Sequence, residues 1–155
     1  MRLRERSVLF VATGCFAGNI PFAPGTFGTL IGIPICFLLS AIDIQIAIIC
    51  IIVFILAAIF IAHEAEKILK KKDPGAVVID EIAGIVVALA GLPFNTIIVF
   101  AGFVIFRLLD IFKPFPIKYI EEKMSGGAGI VMDDVVAGIM TNAIMRIFIY
   151  SGGLM

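Results

Sequence analysis

Long apolar segments separated by short polar ones dominate this chain. Residues 44–62 form an apolar run of about the length that crosses a roughly 30 Å hydrocarbon core as a helix. Four further segments have a similar apolar character, at residues 27–42, 77–92, 94–109 and 130–150. Short connections predict two antiparallel hairpins among them. The pattern therefore predicts an all-α, polytopic membrane protein with about five transmembrane helices and short loops.

Two other segments have a mixed character. Residues 110–129 combine charged residues, proline, aromatics and glycine, which is typical of an interfacial loop with an amphipathic piece. Residues 7–18 are short and apolar and could be an interfacial or re-entrant segment. The N-terminus has the basic start of a signal peptide but no clear small-x-small cleavage site, so we expect it to be retained. We expect residues 1–155 to form a single domain.

Basic residues occur at alternate ends of the predicted helices. Arg2, Arg4 and Arg6 precede the first helix, Lys67, Lys70, Lys71 and Lys72 follow the second, and Arg107, Lys113, Lys118 and Lys123 lie at or after the fourth. Only Arg146 lies elsewhere. Positive residues collect in cytoplasmic loops, so these connections are assigned to the cytoplasm. Most acidic residues map to the same side, which predicts one charged face and one nearly apolar face.

The composition agrees with a membrane protein and excludes some other classes. The chain is 61% hydrophobic and 15% charged, whereas soluble domains are roughly 45–50% apolar. Its 12 basic and 12 acidic residues give a formal net charge of zero, so we expect no nucleic-acid partner. Cys15, Cys36 and Cys50 stand singly in apolar surroundings and predict no zinc or redox site. No feature predicts an oligomeric state.

Two carboxylate pairs stand at the start of predicted membrane helices: Asp80 with Glu81, and Asp133 with Asp134. We expect both pairs at the same membrane depth, near helix N-termini whose partial positive charge stabilises anions. A glycine follows each pair by one helical turn, at Gly84 and Gly138. Small residues at such positions predict the close approach of another helix.

These four carboxylates need a compensating partner, because a carboxylate at the centre of a span costs on the order of 2.5–3.5 kcal/mol. Arg107, Lys113 or a bound cation could supply it. The chain has one histidine and no clustered cysteines, so the available ligands are hard oxygens, which suit Mg²⁺ better than zinc or copper. The four are therefore candidate Mg²⁺ ligands and catalytic groups, unless they only pair with basic residues to orient helices.

Candidate phosphate-binding residues lie in three other places. Arg107, Asp110 and Lys113 follow one another at about one-turn intervals, and this face could hold a phosphate beside a metal, although Arg107 and Lys113 could also simply snorkel. The segment "NIPFAPGTFGTL" offers backbone N–H groups and three polar side chains to an anion, as a turn and helix cap would also do: Asn19, Thr26 and Thr29. His63, expected to open a cytoplasmic loop, could act as an acid or base or be merely solvated.

Four segments, in order over residues 21–138, together resemble the phosphatidylglycerophosphatase A family: "PFAPGTFGTL", "DPGAVVIDEIAG", "FRLLDIFKPFP" and "GGAGIVMDDVVAG". The resemblance implies a membrane enzyme that dephosphorylates phosphatidylglycerophosphate to phosphatidylglycerol with Mg²⁺. It implies that Asp80, Glu81, Asp133 and Asp134 are metal ligands or a base, that Asp110 joins them, and that Arg107 and Lys113 contact the phosphate. It also implies a multi-pass protein of the bacterial cytoplasmic (inner) membrane with its active site facing the cytoplasm.

Under this interpretation the chain is a phosphoric monoester hydrolase of phospholipid biosynthesis. Its lipid substrate would enter from the cytoplasmic leaflet, and a carboxylate would accept the proton of the attacking water. One alternative is a cation- or proton-coupled membrane transporter that uses the intramembrane carboxylates, which predicts acids near the bilayer midplane. Another is a silent membrane scaffold, whose stability would not depend on Mg²⁺.

Overall fold

The structure is a computed structural model that describes residues 3–152. Its α-helices are α1 (Leu3–Ala12), α2 (Pro24–Ser40), α3 (Ile44–Leu69), α4 (Ile79–Ala88), α5 (Thr96–Phe112), α6 (Ile117–Lys123) and α7 (Gly126–Tyr150), with a short 3-10 helix at Ala17–Asn19. Residues 3–152 contain no β-strand, which confirms the all-α fold class. Arg2, predicted to be cytoplasmic, and the last three residues of the predicted single domain lie outside the described residues.

Helices α4 and α7 form the centre of the fold. Seven of the ten residues of α4 are buried, because α2 packs on it from one side and α7 from another. Helices α3, α5 and α6 pack in turn on α7. Where α4 and α7 cross, a Cβ atom on Gly138 would collide with the carbonyl oxygen of Gly84. The predicted close approach at these glycines is therefore confirmed. A Cβ atom on Gly84 would collide with the ring of Phe106 on α5 and lie 2.9 Å from the carbonyl oxygen of Asp134 on α7.

Helix α4 is shorter than the helix that residues 77–92 predict. It has 10 residues, about 15 Å at 1.5 Å per residue, which is roughly half of a 30 Å hydrocarbon core. The chain then turns at Gly91, which has φ 63° and lies next to the side chain of Ile44 at the start of α3. The count of about five membrane crossings therefore stays a prediction.

The C-terminal end of α4 is capped by side chains of α7. Asn142 donates from Nδ2 to the carbonyl oxygens of Ala88 and Ala90, both at 2.9 Å. Arg146 donates from Nε to Oδ1 of Asn142 at 2.8 Å and from Nη2 to Ala90 at 3.2 Å. These bonds satisfy carbonyls that a helix end leaves without intrahelical partners. Arg146, the one basic residue away from the charged face, thus has a structural role.

We expect Asn142→Leu to lower the free energy of unfolding by about 1–3 kcal/mol, because it removes the donor to the carbonyl oxygens of Ala88 and Ala90. Thermal denaturation in detergent would measure the loss. Asn142→Asp, which keeps the shape but has no N–H donor, should lose a similar amount. Unchanged stability in both variants would contradict the capping role.

Helix α3 presents a long apolar surface to its surroundings. Among the described residues, α3 and α7 are long and apolar enough to cross a membrane. Only 17% of the most apolar window of α3 is buried, so it lacks the packing of a core helix in a soluble protein. Its exposed side chains include Ile49, Val53, Leu56 and Phe60. A surface of this kind is one that a lipid bilayer would cover.

Helix α3 also continues past its predicted end, to Leu69. His63 therefore lies inside a helix, and the prediction that it opens a loop is wrong. The residues of α3 that follow Ala62 include two Glu, Ala, Lys and Leu, which are strong helix formers, so the change to a more polar composition does not end the helix.

Candidate active site

An acidic cluster forms where α4 and α7 lie side by side. Asp80 and Glu81 belong to the first turn of α4 and Asp134 to α7, and one carboxylate oxygen of each lies within 4.8 Å of the others. Asp134 is only 3% exposed. Oδ1 of Asp80 and Oε2 of Glu81 are buried and accept no hydrogen bond from the described residues. The three carboxylates thus form a site that could hold a metal ion.

The charges of this cluster require compensation. Even at 4.8 Å, the upper limit of these separations, two ionised carboxylates repel each other by about 3.5 kcal/mol at an effective dielectric constant of 20. The N-terminus of α4 offsets part of this for Asp80 and Glu81. Helix α7 begins at Gly126, two turns before Asp134, so the prediction that both acidic pairs lie at helix N-termini is wrong for α7. A hard divalent cation, which prefers oxygen ligands, would neutralise the remaining negative charge of the three carboxylates.

Asp133 has a different partner from the other three carboxylates. Its Oδ2 accepts a hydrogen bond from Nζ of Lys113 at 2.7 Å, and the same Nζ donates to Glu121 of α6 at 2.8 Å. Burial alone would lower the pKa of Lys113, but these two acidic partners outweigh it and hold that pKa above its usual range. Lys113 therefore stays cationic at neutral pH. Oδ1 of Asp133 is buried and accepts no hydrogen bond from the described residues.

Arg107 joins two acidic residues at the edge of the cluster. Its Nη1 donates to Oδ2 of Asp110 at 2.5 Å and lies 4.0 Å from Oε1 of Glu81. The side chains of all three residues are no more than 15% exposed. Asp110 also interacts electrostatically with Asp134, a member of the cluster. In this arrangement Arg107 holds two carboxylates in position.

Helix α2 closes the cluster on one side through Gly25. A Cβ atom there would collide with Oε1 of Glu81 and lie 3.0 Å from both Nη1 and Nη2 of Arg107. Only glycine leaves room for this contact. Thr29 is fully buried, and its Oγ1 donates to the carbonyl oxygen of Gly25 at 2.8 Å. Thr29 thus supports the backbone at Gly25.

A cavity of about 300 Å³ opens beside the cluster, at one end of the helices. Six of the predicted site residues line it: Asp80, Glu81, Asp110, Lys113, Asp133 and Asp134. The loop between α3 and α4 and the turn between α6 and α7 contribute Gly75 and Ser125 to its wall. The cavity is large enough to admit a phosphate ester and water to the carboxylates.

The other predicted site residues do not line this cavity, and their contact with a substrate stays a prediction. Asn19 is exposed, Thr26 is half-buried in the first turn of α2, and Arg107 lies behind Glu81 and Asp110. Thr29 is buried, as described above. His63 is exposed on α3, where a Cβ atom on Gly126 would lie 3.0 Å from its Nδ1.

The cavity is also lined by three charged residues that the sequence patterns do not identify: Glu66, Lys72 and Glu121. Asp73, next to Lys72, lines it as well. The "DPG" turn could have indicated that Lys72 and Asp73 lie near the site, because a tight turn leading into α4 brings its flanking residues close to the start of that helix. Glu66 belongs to the part of α3 that composition did not predict to be helical.

The fold and the cavity together define the class of protein. An all-helical chain with a long apolar exterior has a cluster of oxygen ligands and a lysine in one cavity, which is the kind of centre that catalyses metal-assisted hydrolysis of phosphate esters. Sequence comparison then gives the family. Residues 10–149 match the family Phosphatidylglycerophosphatase A, and the chain belongs to it. The family is one of phosphatases, so the chain is classed as an enzyme.

Three relatives illustrate this relationship. A protein of Escherichia coli strain K12 named phosphatidylglycerophosphatase A is 37% identical over 136 residues, covering 87% of this chain and 79% of the relative. A protein of Haemophilus influenzae with the same name is 37% identical over 131 residues, covering 83% and 80%. A protein of Bacteroides thetaiotaomicron, provisionally named phosphatidylinositol-3-phosphatase, is 36% identical over 139 residues, covering 84% and 86%. No solved structure matches the chain.

Proposed function

We propose that this protein hydrolyses phosphatidylglycerophosphate to phosphatidylglycerol and inorganic phosphate, as a step of phospholipid biosynthesis that depends on Mg²⁺. The observation that carries the proposal is the convergence of Asp80, Glu81 and Asp134 beside Lys113 in one cavity. The substrate is taken from the family and from the names of two relatives. The transporter alternative has no comparable support, because the carboxylates of the cavity lie together at one end of the helices.

In this proposal Asp80, Glu81 and Asp134 hold the Mg²⁺. When bound, the ion supplies Lewis acidity, which polarises the phosphoryl group and lowers the pKa of a water molecule. Arg107 keeps Glu81 in position through their ion pair and keeps Asp110 next to Asp134. The buried oxygens of Asp80 and Glu81 that lack hydrogen bonds support this assignment, because ionised oxygens buried without partners are costly.

Lys113 and Asp133 have the remaining roles. Lys113 lies in the cavity wall with its charge shared between Asp133 and Glu121, and a phosphate dianion that enters would attract the same ammonium group. Asp133 accepts the proton of the attacking water through Oδ1, the oxygen that Lys113 leaves free. That proton can then pass to the leaving alcohol oxygen as the P–O bond breaks.

We also propose that the protein is a multi-pass protein of the bacterial cytoplasmic (inner) membrane with the cavity facing the cytoplasm. Its support is electrostatic. Lys67, Lys72 and Lys113 lie at the same end of the helices as the cavity, and cytoplasmic segments of membrane proteins carry an excess of such residues. The phosphate of a lipid in the inner leaflet would then lie at the level of the cavity.

Purified full-length protein in detergent should release phosphate from phosphatidylglycerophosphate faster than from phosphatidylinositol 3-phosphate or phosphatidic acid. A chelator should abolish the release, and added Mg²⁺ should restore it. Measuring inorganic phosphate with the three lipids, with and without Mg²⁺, tests the proposal. Equal rates after complete chelation would contradict the metal assignment, and a preference for phosphatidylinositol 3-phosphate would contradict the substrate.

A further inference from the structure

The charges that line the cavity are strongly unbalanced. Eight carboxylates face two lysines, and the carboxylates are Glu66, Asp73, Asp80, Glu81, Asp110, Glu121, Asp133 and Asp134. A phosphate ester is itself an anion and would be repelled by this lining. The cation proposed for the acidic cluster offsets part of the excess, but cationic side chains at the rim would still decide how strongly the anion is attracted.

The two lysines, Lys72 and Lys113, differ in what they contact. Lys113 already donates to Asp133 and Glu121. Lys72 makes no ion pair or side-chain hydrogen bond within residues 3–152, although Asp73 and Glu66 line the same cavity. Its ammonium group is therefore free to meet an incoming anion without first breaking a bond.

The loop that holds Lys72 is fixed at both ends. Helix α3 ends at Leu69, and the next residue, Lys70, turns the chain in a left-handed conformation at φ 52°. After Lys72, the amide of Val77 donates to the carbonyl of Pro74 at 2.8 Å, and the amide of Val78 donates to Ala12 at 2.9 Å. Lys72 thus lies between two anchored segments at the cavity wall, although its side chain is exposed.

We propose that Lys72 binds the phosphate of the substrate at the mouth of the cavity and sets the apparent affinity for the lipid phosphate. The inference rests on the proposed phosphatase function and adds a residue that the sequence motifs do not include. Lys72 acts on binding and takes no part in the transfer of the phosphoryl group. It therefore affects KM, whereas loss of a group at the reacting phosphorus would reduce kcat.

Steady-state kinetics of four proteins test this role: the wild type, Lys72→Ala, Lys72→Arg and Lys71→Ala. Lys71→Ala is the matched control, because this substitution removes the same charge from the same run of lysines, whereas Lys71 does not line the cavity. We expect Lys72→Ala to raise KM for phosphatidylglycerophosphate in mixed micelles by about tenfold, in keeping with one charge-assisted hydrogen bond. Its kcat should stay within about twofold, Lys72→Arg should restore KM, and Lys71→Ala should match the wild type.

Binding of inorganic phosphate, measured by calorimetry in the presence of Mg²⁺, gives a second readout that needs no turnover. It should weaken in Lys72→Ala by the same factor as KM rises. Equal effects of Lys72→Ala and Lys71→Ala, or a fall in kcat without a change in KM, would overturn the role of Lys72. A wild-type protein that binds inorganic phosphate through Lys72 but hydrolyses no lipid phosphate would contradict the proposed function alone.

Discussion

Replacing Asp134 with asparagine should reduce phosphate release by more than about 100-fold, because it removes one of three carboxylates that together could hold the metal. The substitution keeps the shape of the side chain and removes a like charge from a buried cluster. In the absence of metal, the variant should therefore be at least as stable as the wild type. Activity assays and thermal denaturation in a chelator measure these two effects.

Addition of Mg²⁺ separates a binding defect from a folding defect. An ion that binds only the folded protein raises its Tm, so the rise should be smaller in Asp134→Asn than in the wild type. Asp43→Asn is the control, because Asp43 is exposed and caps α3 by accepting from the amide of Gln45 at 2.9 Å, which asparagine can also do. Full activity in Asp134→Asn, or an unchanged response to Mg²⁺, would refute the metal assignment.

The sequence predicts the fold class because the lengths of its apolar runs are those of membrane-spanning helices. Helices α2, α3, α5 and α7 lie where long apolar runs predict helices. Their boundaries are less predictable. At the C-terminal end of α4, Asn142 donates to the carbonyl oxygen of Ala88 and Arg146 to that of Ala90, and both donors lie more than fifty residues away in the sequence. Gly91, which turns the chain at φ 63°, is a local signal in residues 77–92, but the side chains that cap these carbonyls cannot be found there.

The candidate site is predictable in its residue types and less so in its pairings. Carboxylates within apolar runs are conspicuous because insertion into a membrane is costly, and this signal finds Asp80, Glu81, Asp133 and Asp134. This signal does not give the direction of each side chain or the partner of each carboxylate oxygen. Adjacent positions on a helix differ in direction by about 100°, so Asp134 joins the cluster while Asp133 turns to Lys113.

Charge patterns also leave open what a basic residue contacts. Arg107 and Lys113 stand in the same segment and both are candidates for phosphate binding. In the structure, Arg107 is engaged by Asp110 and Glu81 behind the cavity wall, and Lys72 from another loop lines the cavity. The packing of α2, with Gly25 against Arg107 and Glu81, shows that the position of Arg107 depends on tertiary contacts.

The crossing of α4 and α7 sets the distance between their carboxylates, so Gly138→Ala should affect both stability and activity. Its Cβ would collide with the carbonyl oxygen of Gly84, a backbone atom that cannot rotate away. We expect a net loss of about 1–3 kcal/mol from overpacking, even though alanine favours a helix by up to about 1 kcal/mol over glycine. Phosphate release should fall by more than tenfold, because Asp80 and Asp134 lie one turn from the two glycines and move apart with the helices.

Gly102→Ala in α5 is the matched control for this effect. A Cβ atom there would meet only the end of the Leu89 side chain, which can change rotamer. The control receives the same gain in helix propensity without a backbone collision, so it should be neutral or slightly stabilising and fully active. Similar denaturation curves and activities for the two variants would show that the glycine contact does not hold the acidic cluster together. Loss in Gly138→Ala alone would tie the geometry of the site to this single crossing.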